Sequence, residues 1–285
     1  MTKKILVYCD THWAIGRIYK DIDKYLDKDF SFTYYDWAEH APNFIISLID
    51  DYDVFITNLV NIKHFHHMSS DKLKKTIFSC HGFKEFVSLD NYSFPKEPVY
   101  SIVSKSVVEL FPENMRNDLI HTYNGVELTN FNYIKRNGNI EKLGWCGASH
   151  IDWKRSKLSI EIAGKTKLSL SFACKLSYEE LKQWYNKIDV LLINSGPEYS
   201  KETGPLPAFE AIASGVLVIG TYVGNFAEVP GPKYSTVDEA VDILLDLKQN
   251  PEKVRQIANE QYECVKKNWT YEILSNQWRK MYETI

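Results

Sequence analysis

One stretch, 195–229, constrains the fold more than any other: SGPEYSKETGPLPAFEAIASGVLVIGTYVGNFAEV. A polar loop enters a rigid turn at Gly204, Pro205, Leu206 and Pro207. A small-residue helix is expected over 208–214, Gly215 ends it, and 216–219 is a fully apolar strand. A strand apolar at every position is buried on both faces, which points to a parallel sheet covered by helices. Gly220, Thr221 and Gly224 then form a second turn at a strand's carboxyl end. Such loops, followed by helix N-termini with unbonded amides, are where nucleotides and phosphate esters bind.

The same alternation recurs along the chain. Short strands are expected at 5–9, 30–35, 54–57, 76–80, 99–104 and 119–122, with amphipathic helices between several of them. Residues falling at their carboxyl ends are the loop 12–16 with Gly16, then Asn58, His81 with Gly82, and Ser104 with Lys105. A histidine placed directly after TIFSC either touches a ligand or is satisfied within its own loop, and both readings stay open.

The run 123–142 is polar and turn-rich and carries two Asn-Gly pairs, so a domain junction is placed within 132–142, giving domains 1–135 and 136–285. Beyond it, LGWCGASHIDWKR takes a strand into a turn where Gly144 and Gly147 allow close backbone approach and Lys154 can meet a phosphate. No Walker or dinucleotide glycine pattern is present. The segment 156–163 is ambiguous between helix and strand, and 168–172 is a strand. Ser177 with Glu180 makes a capping box before a helix, and 190–193 is the strand that feeds the opening stretch. Glu202 and Glu210 flank the Gly-Pro turn. Carboxylates accept paired sugar hydroxyls well and repel phosphate at close range. Glu210, in an otherwise apolar helix, is expected to hydrogen-bond to a ligand or to the protein rather than stand exposed, since an unpaired charge there is costly if buried.

A net charge of -3 over 285 residues gives no global reason to expect a nucleic-acid partner. Five dispersed cysteines without a CxxC pair read as buried thiols in a reducing compartment. His64, His66 and His67 lack the spacing of a zinc site. No apolar run approaches the roughly 18 residues of a spanning helix. The expected location is the cytoplasm, with peripheral contact at a membrane left open.

The run SKETGPLPAFEAIASGVLVIGTYVGNFAEV resembles the donor-site signature of the GT-B retaining glycosyltransferases of family four. YNGVELTNF is similar to that family's interdomain segment, LGWCGAS to the first turn of its nucleotide domain, and YNKIDVLLINS to the helix and strand before the signature. The resemblance implies an α/β GT-B fold, two Rossmann-like parallel-sheet domains facing each other across a cleft. The N-terminal domain would be the acceptor side and the C-terminal one the donor side. The last helix would cross back to the N-terminal domain, with Trp278 a candidate clasp.

The implied activity is retaining transfer of a sugar from a UDP- or GDP-sugar to a hydroxyl of a glycan, glycolipid or glycoprotein. No tightly bound cofactor and no obligatory metal are implied. By the same resemblance, Glu210 binds the ribose hydroxyls and Glu202 faces the donor sugar. Backbone around Gly204, Pro205 and Leu206 supports the sugar and diphosphate, and Lys154 neutralises the pyrophosphate. Gly147 matches the family's glycine, Gly16 lies in the loop near the phosphates and acceptor, and His81 stands near the donor sugar and leaving group. The implied catalytic set is Glu202, His81 and Lys154. Ala148 replaces the arginine expected after Gly147, and Thr203 and Pro205 also depart from the family turn. The alternatives are therefore a catalytically weakened GT-B-like nucleotide-sugar binding or assembly protein, or a nucleotide-sugar epimerase.

Overall fold

The structure, a computed structural model, describes residues 2–12, 14–89, 92–196 and 202–285. It contains two compact units, 1–124 with 271–285 and 125–270.

The first unit runs β1 (Lys3–Cys9), α1 (Ala14–Asp23), β2 (Phe30–Asp36), α2 (Pro42–Leu48), β3 (Val54–Asn58), α3 (Ile62–Phe65), α4 (Ser70–Lys74), β4 (Thr76–Cys80), α5 (Lys84–Val87), β5 (Val99–Ile102) and β6 (Ile120–His121). The sheet order is β2-β1-β3-β4-β5-β6, and every pairing is parallel. β3 and β4 are buried at all positions, because central strands of a sheet covered on both sides have no solvent face. One face is filled by a ring-rich cluster containing Phe55, Phe65, Phe78, Tyr100 and Phe111. Much of the chain's aromatic content therefore serves packing.

The chain's last helix, Tyr271–Glu283, belongs to this first unit. Trp278 is fully buried, sits edge-on to Tyr19 of α1 with centroids 5.5 Å apart, and donates Nε1 to the Tyr123 carbonyl at 3.4 Å. Tyr282 packs on Phe30 and Phe32, while Arg279 pairs with Asp29. Each large apolar side chain buried in full contributes roughly 1.5–3 kcal/mol, so Trp278 alone is a substantial anchor.

The second unit contains β7 (Lys142–Cys146), α6 (Ser156–Thr166), β8 (Ser169–Ala173), α7 (Tyr178–Tyr185), β9 (Val190–Ile193), α8 (Leu206–Ala213), β10 (Leu217–Gly220), α9 (Val237–Gln249) and α10 (Pro251–Asn268), which makes the last helix α11. Its sheet order is β10-β9-β7-β8, again parallel throughout. The ambiguous segment resolves as α6: Ile162 is fully buried while Ile160 is 58% exposed, so the alternating pattern winds around a helix. The capping box at Ser177 and Glu180 is present on α7, and Thr236 with Glu239 makes a second on α9. The turn-rich run before β7 is tied into this unit. Val126 N–H donates to the Trp269 carbonyl at 2.9 Å, and the Arg136 guanidinium donates to the Tyr185 and Asn186 carbonyls.

Among the described residues, no helix is long and apolar enough to cross a membrane. No group of three or more His, Cys, Asp and Glu side chains among them is placed to hold a metal ion.

Candidate functional site

In the second unit, the turn after β7 and the loop after β9 meet at one ion pair. Lys154 closes a 3-10 turn, Asp152–Lys154, and its carbonyl accepts the Trp145 indole N–H at 3.2 Å. The buried tryptophan of β7 thus fixes the backbone from which the lysine projects. Lys154 Nζ pairs with Glu202 Oε2, which also accepts the Ser195 hydroxyl at 3.0 Å. Gly147 has φ +153°, and a Cβ there would lie 3.2 Å from the Trp145 ring and 3.8 Å from Lys154 Cδ. A side chain at that position would press on the indole, touch the lysine stem, and strain the backbone at this positive φ.

Gly204, Pro205 and Leu206 lead into α8, which begins with Pro205 at its N-cap and, among the described residues, with no side chain capping its first amides. That helix start is open to an anion. Beside it, Trp145, Cys146, Lys154, Asn194, Ser195 and Glu202 surround a space of about 10 Å³. A larger cavity of about 400 Å³, walled by Arg136, Asp189 and Arg255, lies at the amino ends of β9 and β10 and contains none of the candidate catalytic or donor-binding residues. Position 197–201 of the opening stretch lies outside the described residues, as does Trp13 of the first loop.

Glu210 is placed apart from Glu202. It is buried in α8, and its Oε2 accepts the Tyr185 hydroxyl at 2.8 Å. Burial, reinforced by the Glu210 charge, pushes the Cys146 thiol up to about 12, so Cys146 stays protonated at neutral pH. The strand end is held rigid behind these groups: Asn194 donates to Ser159 Oγ at 2.7 Å, and the Thr221 hydroxyl donates to the Ser195 carbonyl at 2.6 Å.

In the first unit, Gly16 sits in the first turn of α1. Its amide donates to the Asp10 carbonyl at 3.0 Å, and a Cβ would lie 2.4 Å from that same oxygen. Only glycine lets the loop pass this closely. His81 follows β4, with Nε2 3.3 Å from the Tyr19 hydroxyl. Burial of the imidazole pushes its pKa down to about 4, so it is neutral under ordinary conditions and acts as a hydrogen-bonding group rather than a cation. Asn58 is buried, and Ser104 caps the 3-10 turn Lys105–Leu110 by accepting the Ser106 N–H at 3.3 Å. His66 turns its Nδ1 to the Lys63 carbonyl, 3.1 Å away.

Comparison with known proteins bears on the whole chain. HepE from Anabaena, in a crystal structure with UDP and glucose, superposes with TM-score 0.75 at 12% identity, covering 99% of this chain and 100% of that one. This is the GT-B fold. AviGT4, a glycosyltransferase involved in avilamycin A biosynthesis, shares it at TM-score 0.66 and 14% identity, over 99% of this chain and 97% of that one. An α-glucosyltransferase in complex with UDP-glucose and DNA containing an abasic site shares it at TM-score 0.70 and 9% identity, over 99% and 100%. Residues 145–279 match the family described as glycosyl transferase-like. No protein of curated function matches by sequence.

The matched region of this GT-B chain contains Gly147, Lys154, Glu202, Gly204, Pro205, Leu206 and Glu210. Several groups beside these were not singled out from the sequence: Ser195 on Glu202, Tyr185 on Glu210, and Glu85 behind His81. Each partner lies several to 25 residues away along the chain, where no periodic pattern links the two.

Proposed function

We propose that this protein is a nucleotide-sugar-dependent glycosyltransferase. The observation that carries the reading is the ion pair of Lys154 with Glu202 at the carboxyl ends of β7 and β9, beside the uncapped start of α8 and inside the segment matched to the glycosyl transferase-like family. A cation and a helix N-terminus suit a diphosphate, and the carboxylate suits sugar hydroxyls. That GT-B structures carry UDP with glucose, or UDP-glucose, supports a UDP-sugar as donor, with a GDP-sugar as the other candidate.

The acceptor oxygen attacks the anomeric carbon as the bond from that carbon to the phosphate oxygen breaks. The acceptor's proton passes to the departing phosphate, and the new bond keeps the anomeric configuration. Lys154 and the backbone N–H groups of Gly204 and Leu206 stabilise the leaving charge, while Pro205 between them has no N–H to give. Glu202 faces the donor sugar, Glu210 the ribose, and the neutral His81 donates or accepts a hydrogen bond at the sugar. Gly147 and Gly16 keep their loops close to the phosphates. No step needs a metal ion. The acceptor is a glycan, glycolipid or glycoprotein met in the cytoplasm or at a membrane surface. The α-glucosyltransferase complex with DNA puts a nucleic acid on the acceptor panel as a control. In this reading the domains divide the labour as 1–135 for the acceptor and 136–285 for the donor, the last helix of the donor half being packed into the N-terminal unit.

Incubation with UDP- and GDP-sugars and an acceptor panel, with the product's anomeric configuration read by NMR, tests the reading. Retained configuration in a new glycosidic bond is expected. No transfer from any donor by folded protein overturns it. A second reading, a nucleotide-sugar binding protein with weakened chemistry, is favoured by Ala148 where the family has an arginine. UDP binding without transfer or donor hydrolysis would select it.

A further inference from the structure

The loops that follow β3 and β4 are tied together by one buried carboxylate. Glu85, in α5, is 9% exposed. Its Oε1 accepts the His81 N–H at 2.6 Å and its Oε2 accepts the Val60 N–H at 3.1 Å, with the amides of Gly82 and Leu59 adding to the set. No lysine, arginine or histidine side chain forms an ion pair with it among the described residues. A negative charge in the interior held only by backbone amides is a costly arrangement. An apolar side chain would pack α5 more cheaply. What the carboxylate supplies is a fixed geometry for two loops at the carboxyl ends of adjacent parallel strands, where ligands bind in such sheets.

The geometry around His81 is held from two directions. Glu85 fixes the backbone N–H, and Tyr19 Oη fixes the ring at Nε2, Tyr19 itself resting on Trp278 of α11. We propose that Glu85 is a positioning residue for His81, and that its ionised form sets the loop between β4 and α5 and so makes sugar transfer depend on pH. This rests on the role given to His81 in the proposed function.

The groups packed directly on Glu85 do not titrate beside it, and Asp23 of α1, whose charge reaches Tyr19, is pushed up to about 8 by burial and titrates above it. Burial pushes Glu85 up to about 7, against the pull of the backbone amides. Cys80 of β4 and Tyr19 of α1 are both raised well above their usual values by burial first, with the Glu85 charge adding to it, and stay protonated. His81 titrates only near 4. The 3-10 turn Leu59–Asn61 brings no ionisable group, and α5 itself brings Lys84, a basic side chain rather than a second carboxylate. Protonating Glu85 turns one acceptor oxygen into a donor facing an amide, and one loop loses its hold.

The test uses the full chain and two readouts. In amide NMR between pH 5.5 and 8.5, the His81 and Val60 signals should titrate together with a midpoint near 7 and stop doing so in Glu85→Gln. In steady-state kinetics, kcat should fall about tenfold as pH drops through that midpoint with donor KM unchanged, and Glu85→Gln should be low and flat, without a lower melting temperature. Amides that do not titrate overturn the proposal. So does a titration that kcat ignores, or a Glu85→Gln variant that loses activity and stability in step. If that variant does not fold, Glu85→Asp and the wild-type pH series decide the same question. Titrating amides with no transfer from any donor would sink the glycosyltransferase reading and leave the carboxylate's hold on the two loops standing.

Discussion

Lys154 and Glu202 lie 48 residues apart in sequence and share an ion pair between the turn after β7 and the loop entering α8. Their side chains are 24% and 12% exposed, so both are largely shielded from water yet neither is sealed in the core. The pair should matter to donor binding as well as to folding. Lys154→Ala is expected to lower kcat/KM for the donor about 100-fold. It should cost about 1–3 kcal/mol of stability, because the largely shielded Glu202 loses its cation and keeps only the Ser195 hydroxyl among its described partners. Glu202→Gln should lower kcat while leaving UDP affinity nearly intact. Steady-state kinetics with UDP calorimetry checks both, and equal losses in UDP affinity and kcat for Glu202→Gln would contradict its place at the sugar.

Glu210 gives a separate test because its carboxylate is shared with Tyr185. Tyr185→Phe removes the hydroxyl that donates at 2.8 Å and should cost about 1–3 kcal/mol of stability, since the acceptor stays buried. Glu210→Gln should weaken UDP about tenfold if its other oxygen serves the ribose. Titration calorimetry with UDP and with uracil alone separates the two effects: the ribose role predicts a loss for UDP and none for the base.

How far the sequence carried these assignments depends on how local each signal is. β9 was legible because a strand buried on both faces is written as an unbroken apolar run, VLLI, and β3 and β4 because each carries a short apolar, β-favouring core, VFI and IF, between polar ends. The α7 cap was legible because both of its residues lie within one turn. α6 was ambiguous because Leu158, Ile160 and Ile162 alternate like a strand, and only packing shows that Ile160 faces solvent while Ile162 faces the sheet. Lys154 and Glu202 were each visible through family resemblance, but their pairing needed the fold. Glu85 gave no signal at all. Its partners are backbone amides of two loops, and amides look the same in every sequence.

Gly224 tests whether the loop carrying Glu202 must be held from behind. The glycine has φ +43°, and a Cβ there would lie 2.0 Å from the Thr203 carbonyl oxygen and 2.3 Å from that of Glu202. The next amide, Asn225 N–H, donates to the Thr203 oxygen at 2.9 Å. Gly224→Ala should therefore push the loop away, costing about 1–3 kcal/mol and weakening UDP binding. Thermal melts and calorimetry on one preparation check it, and unchanged UDP affinity would show that the loop's position is not set here.

His81 and Glu85 pull the stability of the protein in opposite directions with pH. His81 is depressed from 6.5 to about 4 by burial, so the unfolded chain takes up its proton first. Its contribution is complete above 6.5 and is lost as pH falls from there toward 4. Glu85 is raised from 4.5 to about 7 by burial, so the folded chain keeps its proton longer, and that contribution is lost as pH rises from 4.5 through 7. Where the windows overlap, the two slopes offset each other in the wild type. Asp23, pushed up to about 8 by burial, adds a slope of the same sign as that of Glu85 in all three proteins. Relative to the wild type, His81→Asn should therefore make stability fall more steeply as pH rises, and Glu85→Gln should make it fall less steeply. Urea denaturation of the three proteins across pH 4.5 to 7 reads the slopes directly, and changes of the same sign in the two variants would show that burial does not perturb these groups as their surroundings require.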